Sequence, residues 1–321
     1  MSDSEIRIAI VAYPGCAQSA VYGLSEIFQM ANSLCLAQPL SPSDTRQFDV
    51  EILKANDLLN SPGQGKVYSI IVLPPSLDPT YCLASDITLQ QWLVAQHAQG
   101  AMLCSACAGS FLIASTGLLK HREATTHWGL SDAFVERYPD VSLCIDKILI
   151  NDGDIITAGG LMSWVDLGLE LVAQYTHVSV MRQLGKQLVV DTGLREQRYY
   201  QVFSPKRDHG DELIANVQLF LQAHYPEPIA IAGLAERSLL TPRTFLRRFV
   251  KATGLKPNEY LQRLRIQKAS DLLENTRDSF ETIAMKIGYD DIGACRRAFV
   301  KITGLTPRAF RVRFSQMREC R

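Results

Sequence analysis

The pattern of apolar positions along the chain changes character about two thirds of the way through. In residues 1–190, short runs of Val, Ile and Leu alternate with segments in which apolar residues recur every three or four positions. Arg7–Ala12 is one such run, and Ala20–Ala31 is one such amphipathic segment. Apolar strands that alternate with helices are typical of a parallel sheet covered on both faces. The pattern therefore predicts an α/β first part with a mostly parallel sheet.

Breakers and periodicity place the individual elements of this part. Pro, Gly and polar clusters end each apolar run, as turn residues do. Strands are predicted at Arg7–Ala12, Val50–Leu53, Ser69–Leu73, Ala101–Ser105, Leu143–Ile145, Ile148–Ile150 and Ile155–Ala158, with a further short strand that ends at Thr126. Helices are predicted at Ala20–Ala31, Ile87–Gln99, Phe111–Ser115, Leu130–Arg137, Ser163–Tyr175 and Val178–Val189.

A polar stretch separates this part from an all-helical one. Asp191–Gly210 presents no apolar face and is interpreted as a linker. From Asp211 onward strand signals are absent, and helical spacing resumes with Ile214, Val217 and Leu221. We therefore expect an α/β domain over 1–190, a linker over 191–210, and an all-α domain over 211–321.

The second part repeats itself. Phe249–Pro257 matches Phe299–Pro307 in seven of nine positions at an offset of 50. Upstream, Leu234 and Ala235 correspond to Ile283 and Ala284 at an offset of 49, so one turn differs in length by a residue. The repeat indicates a duplicated helical unit.

The first copy has the pattern of a helix-turn-helix. Ile231–Arg237 is a short supporting helix, followed by the turn 238–240. Thr241 is an expected N-cap with Pro242 at the first helical position. Phe245 and Phe249 lie one turn apart and should point inward. The residues expected to face DNA are Arg243, Thr244, Leu246 and Arg247.

The second copy has the same form. Phe280–Ile287 is the supporting helix, 288–290 the turn, and the second helix is predicted to start near Asp291 and to end before Gly304. Cys295 takes an inward position together with Phe299. The residues expected to face DNA are Gly293, Arg296 and Arg297.

Arginine suits the outward positions of these second helices, because its guanidinium group donates two hydrogen bonds to guanine O6 and N7 in the major groove. Asn258–Asn275 between the copies is long enough for one connecting helix. Such a helix would hold the two reading helices about one DNA turn, roughly 34 Å, apart.

Charge supports a nucleic-acid partner for the second part. The chain has 33 basic and 33 acidic residues, and residues 211–321 hold 19 of the basic and 12 of the acidic ones. That leaves 14 basic and 21 acidic residues in 1–210, so balances of −7 and +7 cancel. An asymmetry of this kind is typical of a nucleic-acid-binding module beside an acidic one. A chance partition of surface charge, or a helical interaction module with a solvated basic face, are the alternatives.

These residues resemble the AraC/XylS family of bacterial transcription regulators over about 213–316. The most specific segments are Ile283–Tyr289 and Arg297–Pro307, with the linking Arg263-Leu-Arg265. The family usually has Phe at the position of Tyr289 and a large apolar residue at that of Cys295. The resemblance implies two helix-turn-helix motifs that bind promoter DNA.

A cysteine in the first part occupies a corner between a strand and a helix. Cys104–Ser110 follows an apolar strand and opens an apolar helix. Small residues on both sides of Cys107 permit a strained turn, and a helix N-terminus is expected to lower the pKa of its thiol. This is the geometry of a nucleophile elbow, whose backbone N–H groups could form an oxyanion hole.

The elbow, followed by Ala124-Thr-Thr-His-Trp128, resembles the class I glutamine amidotransferase-like superfamily, in its ThiJ/PfpI-type branch, over about 6–180. The resemblance implies a flavodoxin-like sheet, with His127 as the partner of Cys107. Amidotransferases carry a glutamate where Gly129 stands, and other relatives carry a carboxylate where Ala20 stands. Without a third orienting group, turnover is not expected, and no cofactor or metal is expected either.

A binding pocket is the preferred interpretation of this corner. Backbone N–H groups and an aromatic ring at the carboxyl edge of a sheet suit a small effector. The expected effector-binding residues are Tyr13, Glu26, Cys107, Ala108, Gly109, His127 and Trp128. Alternatives are a Cys107-dependent hydrolase or glyoxalase-like activity, and redox sensing by the pair Cys104 and Cys107.

The two parts together resemble one subgroup of AraC-family regulators, the GlxA-like subgroup, in which an amidotransferase-like domain senses a metabolite. The resemblance implies an activator that binds double-stranded promoter DNA and a small, nitrogenous effector, dimerises through its first domain, and contacts RNA polymerase. The longest apolar runs are too short for the ~20 residues that a bilayer span needs. Met1–Glu5 lacks the basic segment of a signal peptide, so we expect a cytoplasmic protein with reduced thiols.

Overall fold

The computed structural model describes residues 5–37, 46–60, 66–84, 86–193, 195–205 and 207–315. The chain divides into two compact units, residues 1–197 and 198–321. The predicted linker is therefore shared, because 191–197 belong to the first unit and 198–210 to the second. Residues 1–4, 194 and 206, which carry parts of the predictions on the N-terminus and the linker, lie outside the described residues.

The first unit alternates strands and helices. Its strands are β1 Glu5–Ala12, β2 Gln47–Lys54, β3 Ile70–Leu73, β4 Met102–Ala106, β5 Glu123–Ala124, β6 Ser142–Leu143, β7 Leu149–Asn151 and β8 Ile155–Ala158. Its helices are α1 Gln18–Ala37, α2 Ala55–Asn60, α3 Thr80–Leu83, α4 Ile87–Ala98, α5 Gly109–Ala114, α6 Ser131–Arg137, α7 Trp164–Tyr175 and α8 Val178–Leu188.

The described strands form a six-stranded sheet in the order β2-β1-β3-β4-β8-β7. Every pairing in it is parallel except β7 with β8. The α/β prediction is confirmed, with two local differences. The strand predicted at Leu143–Ile145 is the shorter β6, which pairs with β5 in a separate small sheet, because the chain turns at Cys144–Lys147. Helices α2 and α3 were not predicted, since they are too short to show a period.

The core of the first unit explains the apolar runs. All four residues of β3 and of β8 are buried, as are all five of β4. The central strands are thus covered on both faces, as the sequence pattern requires. Because the strands are parallel, their carboxyl ends meet at one edge of the sheet, where ligand sites of such folds lie.

The second unit is helical over its described residues. Its helices are α9 Glu212–His224, α10 Ile231–Arg237, α11 Pro242–Thr253, α12 Pro257–Asn275, α13 Phe280–Lys286, α14 Ile292–Thr303 and α15 Pro307–Phe314. The bounds of α10 and the caps of α11 agree with the prediction, whereas the second supporting helix ends one residue early and α15 was not predicted.

Two hydrophobic cores, one for each copy of the repeat, share helix α12. Tyr260 and Leu264 near its start pack with the first copy, and Ile266, Ala269 and Leu273 pack with the second. Helix α12 is therefore part of both cores, so both copies of the repeat pack against the same helix.

Candidate effector pocket and nucleic-acid interface

Cys107 lies at a strained corner directly after β4. Its φ of 54° is left-handed, a conformation that costs a non-glycine residue about 1–3 kcal/mol. The Cys107 N–H donates to the Ala158 carbonyl at 2.7 Å. Gly109 is required in the same turn, because a Cβ there would lie 2.6 Å from the Leu73 carbonyl oxygen. The predicted corner of small residues therefore forms, with Ala108 and Gly109 opening α5.

The Cys107 thiol is not activated, contrary to the expectation. It is 4% exposed, and burial raises its pKa to about 11. Backbone N–H groups of Ala108 and Ser76 lower this pKa without offsetting the burial. Desolvation disfavours a charged thiolate, and α5 is only six residues long, so its N-terminus contributes little.

Tyr13 closes one side of the corner. It is buried, its hydroxyl donates to the Pro74 carbonyl oxygen, and its ring stacks on Tyr81 with centroids 5.4 Å apart. Burial, together with a side-chain hydrogen bond to Cys82, raises the pKa of Tyr13. Tyr81, Cys82 and Ser76 were not predicted as site residues. They follow β3, and the rule that parallel strands end at one edge was the available signal.

His127 lies on the loop after β5. It caps a short 3₁₀ helix, Trp128–Leu130, by accepting the Gly129 N–H on Nδ1 at 3.0 Å, so its proton is assigned to Nε2. Its ring stacks on Trp128 at 5.2 Å, and burial lowers its pKa, which favours the neutral imidazole. Among the described residues His127 makes no hydrogen bond to Cys107. A Cβ at Gly129 would lie 3.1 Å from Nδ1, so a glutamate there would crowd this arrangement.

Glu26, an expected residue of the effector pocket, lies beyond the first turn of α1. Glu26 is exposed and lies eight residues into α1, about 12 Å along a helix that rises 1.5 Å per residue. The first turn of α1 contains no acidic residue. Helical rise separates Glu26 from the start of α1, and its place in the effector pocket stays a prediction.

The second cysteine of the proposed redox pair, Cys104, lies inside β4. Its side chain is fully buried, and burial raises the pKa of its thiol. An oxidant would reach it only after β4 opened.

Gln197, the last residue of the first unit, was not predicted from the sequence as a site residue. Its side chain is 3% exposed. The amide oxygen accepts the Trp128 N–H at 2.9 Å, and the amide nitrogen donates to the carbonyls of Thr126 and Ile145, each at 2.9 Å. Thr126 Oγ1 in turn donates to the Cys107 carbonyl at 2.9 Å. Backbone and side-chain hydrogen bonds therefore join the corner to the end of the first unit.

Helix α11 presents one buried and one exposed face. Thr241 caps it by accepting the Thr244 N–H, Pro242 is its first residue, and Gly254 ends it in a left-handed conformation. Phe245 and Phe249 are fully buried. Arg243, Leu246 and Arg247 are exposed, whereas Thr244 is half-buried and its hydroxyl bonds to Thr241.

The α14 helix has the same fold with different surface chemistry. Asp291 caps it by accepting the Ala294 N–H at 3.0 Å, while Cys295 and Phe299 are fully buried. Gly293, Arg296 and Arg297, predicted to face DNA, are all exposed.

Both arginines of α14 are paired. Arg296 donates to Glu281 at 3.1 Å, and its guanidinium lies 5.2 Å from the ring centre of Phe280. Arg297 lies 3.7 Å from the Asp291 carboxylate. By contrast, Arg243 and Arg247 of α11 form no ion pair with any residue that the structure describes.

The comparisons with known proteins follow this division. Residues 63–174 match the model of the DJ-1/PfpI family, and residues 234–313 match a helix-turn-helix domain model. The chain combines a DJ-1/PfpI domain with an AraC-type helix-turn-helix domain. Both resemblances stated from the sequence are thereby confirmed.

The similar proteins include transcription regulators and a DJ-1 protein. The chain is 30% identical over 213 residues to the "HTH-type transcriptional regulator CdhR" of Pseudomonas aeruginosa, covering 66% of this chain and 63% of that protein. It is 28% identical to "HTH-type transcriptional regulator ArgR" of the same species, covering 65% and 64%. The chain thus matches less than two thirds of the length of these curated relatives. A solved structure of Drosophila melanogaster DJ-1beta is similar at 15% identity and TM-score 0.46, over 58% of this chain and 99% of that one.

Within the described ranges, none of the helices has the length and apolarity to cross a membrane.

Proposed function

We propose that this protein is a sequence-specific transcription regulator, acting as an activator at promoter DNA. The observation that carries the proposal is a capped helix on which Arg243 and Arg247 are exposed and form no ion pair with the described residues, while buried phenylalanines hold its other face. Such a helix presents the guanidinium groups of its arginines to guanine edges, while the hydrophobic core fixes the orientation of the helix. The proposed DNA-facing residues are Arg243, Thr244, Leu246, Arg247, Gly293, Arg296 and Arg297.

The first domain would bind a small, nitrogenous effector at the corner beside Cys107. Trp128 is half-buried and stacked, a position from which its ring can meet a cationic or amine-bearing ligand. The proposed pocket consists of Tyr13, Cys107, Ala108, Gly109, His127 and Trp128. The high pKa of Cys107 and the missing hydrogen bond to His127 favour binding over turnover, so we propose no enzymatic activity.

Effector occupancy would reach the DNA-binding domain through Gln197. A ligand that shifted the Thr126–Trp128 loop would move two hydrogen-bond partners of this side chain, the Trp128 N–H and the Thr126 carbonyl. We place the protein in the cytoplasm as a homodimer through its first domain, with RNA polymerase as a further partner.

Thermal melting of the full chain with a panel of amines and amino acids tests the effector proposal. A ligand should raise the melting temperature of wild type and of Cys35→Ala, a buried cysteine of α1, but not of Cys107→Ala or Trp128→Ala. A shift that persisted in both pocket variants would refute this pocket.

A further inference from the structure

The two reading helices differ in the charge at their N-termini. Position for position, Thr241 of α11 corresponds to Asp291 of α14, because each caps its helix and lies four residues before the first buried core position. Arg247 corresponds in the same way to Arg297. In the first copy a neutral cap, Thr241, lies six residues before Arg247. In the second copy the residue six positions before Arg297 is a carboxylate, Asp291.

In the second copy this carboxylate meets the arginine. Arg297 Nη2 lies 3.7 Å from Asp291 Oδ2, while Oδ1 of the same carboxylate holds the helix cap. The pair is exposed, with 75% and 68% of the two side chains accessible, so it is weak enough to open. Its position at the start of α14 is the place from which recognition helices contact base edges.

Gly293 makes room for this pairing. A Cβ at Gly293 would lie 3.3 Å from Arg297 Nη1 and 3.1 Å from Asp291 Oδ1. The equivalent residue of the first copy is Arg243, whose side chain extends into solvent. The absence of a side chain at position 293 thus lets Arg297 lie back along its own helix.

We propose that Asp291 is a specificity-determining residue of the second helix-turn-helix, which holds Arg297 away from DNA until a cognate base pair replaces the carboxylate. The inference rests on the proposed DNA-binding function. A guanine edge offers Arg297 two acceptors in place of one carboxylate oxygen, whereas non-cognate DNA offers phosphates that Asp291 repels. Asp291 is a positioning residue that acts through Arg297 and lowers the affinity for non-cognate DNA.

The test compares two single-charge changes in the full chain. Asp291→Asn keeps a good N-cap and removes the carboxylate, and Asp290→Asn removes the same charge from an adjacent exposed residue that makes no ion pair among the described residues. Binding is measured by fluorescence anisotropy with two probes. One is a random-sequence duplex of about 40 base pairs, four helical turns, and the other is the duplex that wild type enriches from a random pool.

Asp291→Asn should bind the random duplex about two- to fivefold more tightly than Asp290→Asn does, the range expected for an exposed ion pair. The gain of Asp291→Asn on the enriched duplex should be smaller, because Arg297 leaves the carboxylate there too but reaches a base edge instead of the phosphates that Asp291 repels. Equal effects of both variants on the random duplex, or an equal gain of Asp291→Asn on both duplexes, would overturn the proposal.

Two further variants separate positioning from folding. In an Arg297→Ala background, the extra gain of Asp291→Asn over Asp290→Asn should vanish, and its persistence would contradict a role through Arg297. Thr241→Asp combined with Arg243→Gly reproduces the arrangement of the second copy in the first with the cap preserved, and should weaken binding of the random duplex relative to Arg243→Gly alone. If wild type enriches no sequence, the proposed function itself fails. If wild type enriches a sequence but Asp291→Asn and Asp290→Asn bind the random duplex equally, only the role of Asp291 is overturned.

Discussion

Two equivalent turn residues, Leu239 and Gly288, adopt the same left-handed backbone with different side chains. Their φ values are 54° and 84°. Leu239 is 92% exposed, so its side chain contributes no burial to offset the strain of this conformation. Gly288 instead packs against the backbone of Pro226, where a Cβ would overlap the carbonyl oxygen.

The two turns should therefore respond oppositely to substitution. Leu239→Gly is expected to be neutral or to stabilise the chain by up to about 1 kcal/mol, because relief of strain exceeds the entropy of glycine. Gly288→Ala should cost at least about 2 kcal/mol, through a left-handed alanine and overpacking. Urea unfolding of both variants measures this difference. A marked loss of stability in Leu239→Gly would show that the leucine has a contact that the structure lacks.

Cys107 should be a slow nucleophile at neutral pH. Because burial raises its pKa to about 11, the thiolate fraction at pH 7 is about one in ten thousand, and alkylation by iodoacetamide should accelerate as the pH rises towards 11. Site-resolved mass spectrometry gives the rate, with the chain unfolded in urea as the control. A rate that levels off near pH 7 in the folded chain would favour the hydrolase interpretation over effector binding.

At the scale of elements, the recognition helices were predictable because their limits are encoded locally. Thr241, Pro242 and Gly254 lie within or next to α11, and each acts through its own backbone. The partners of Arg296 were not predictable, because Glu281 lies fifteen residues earlier on another helix. The sequence places an arginine on a face but does not show which carboxylate the packed helices bring to it.

This difference predicts unequal roles for arginines on the two helices. Arg247→Ala should weaken DNA binding about tenfold or more, by the loss of a fork to a base edge, without a change in melting temperature. Arg296→Ala should lower the melting temperature, because it removes the link from α14 to α13, and should affect DNA binding less. Anisotropy titrations and thermal melts of the same two preparations provide both quantities. The reverse order of effects would assign the base contact to Arg296.

At the scale of the whole molecule, the division into two parts was visible in apolar periodicity and charge, but the role of the segment between them was not. Asp191–Gly210 has no apolar face, so it was interpreted as a linker. Gln197 is nevertheless buried, with its amide bonded to residues more than fifty positions earlier. A single polar residue whose hydrogen bonds go to distant backbone groups leaves no periodic signal in the sequence. The raised pKa of Cys107 was not predicted for the same reason, because residues distant in sequence bury its thiol.

Gln197→Ala should loosen the loop that carries His127 and Trp128. It leaves the Trp128 N–H without its acceptor and should cost about 1–3 kcal/mol, the usual penalty for a buried unsatisfied group. Hydrogen exchange should show faster exchange at the Trp128 amide, whereas Gln91→Ala on the exposed face of α4 should not. Unchanged protection at Trp128 would remove Gln197 from the proposed route between the domains.

Two helix-turn-helix motifs are proposed to read DNA through α11 and α14. Selection of duplexes from a random pool by the full chain tests this proposal most directly, with the Arg247→Ala/Arg297→Ala double variant in parallel. We expect wild type to enrich a site with two major-groove contacts about one helical turn apart, bound with a steep salt dependence. The double variant should lose that site. Enrichment of no sequence, or equal binding of the selected site by the double variant, would contradict DNA recognition through these two helices.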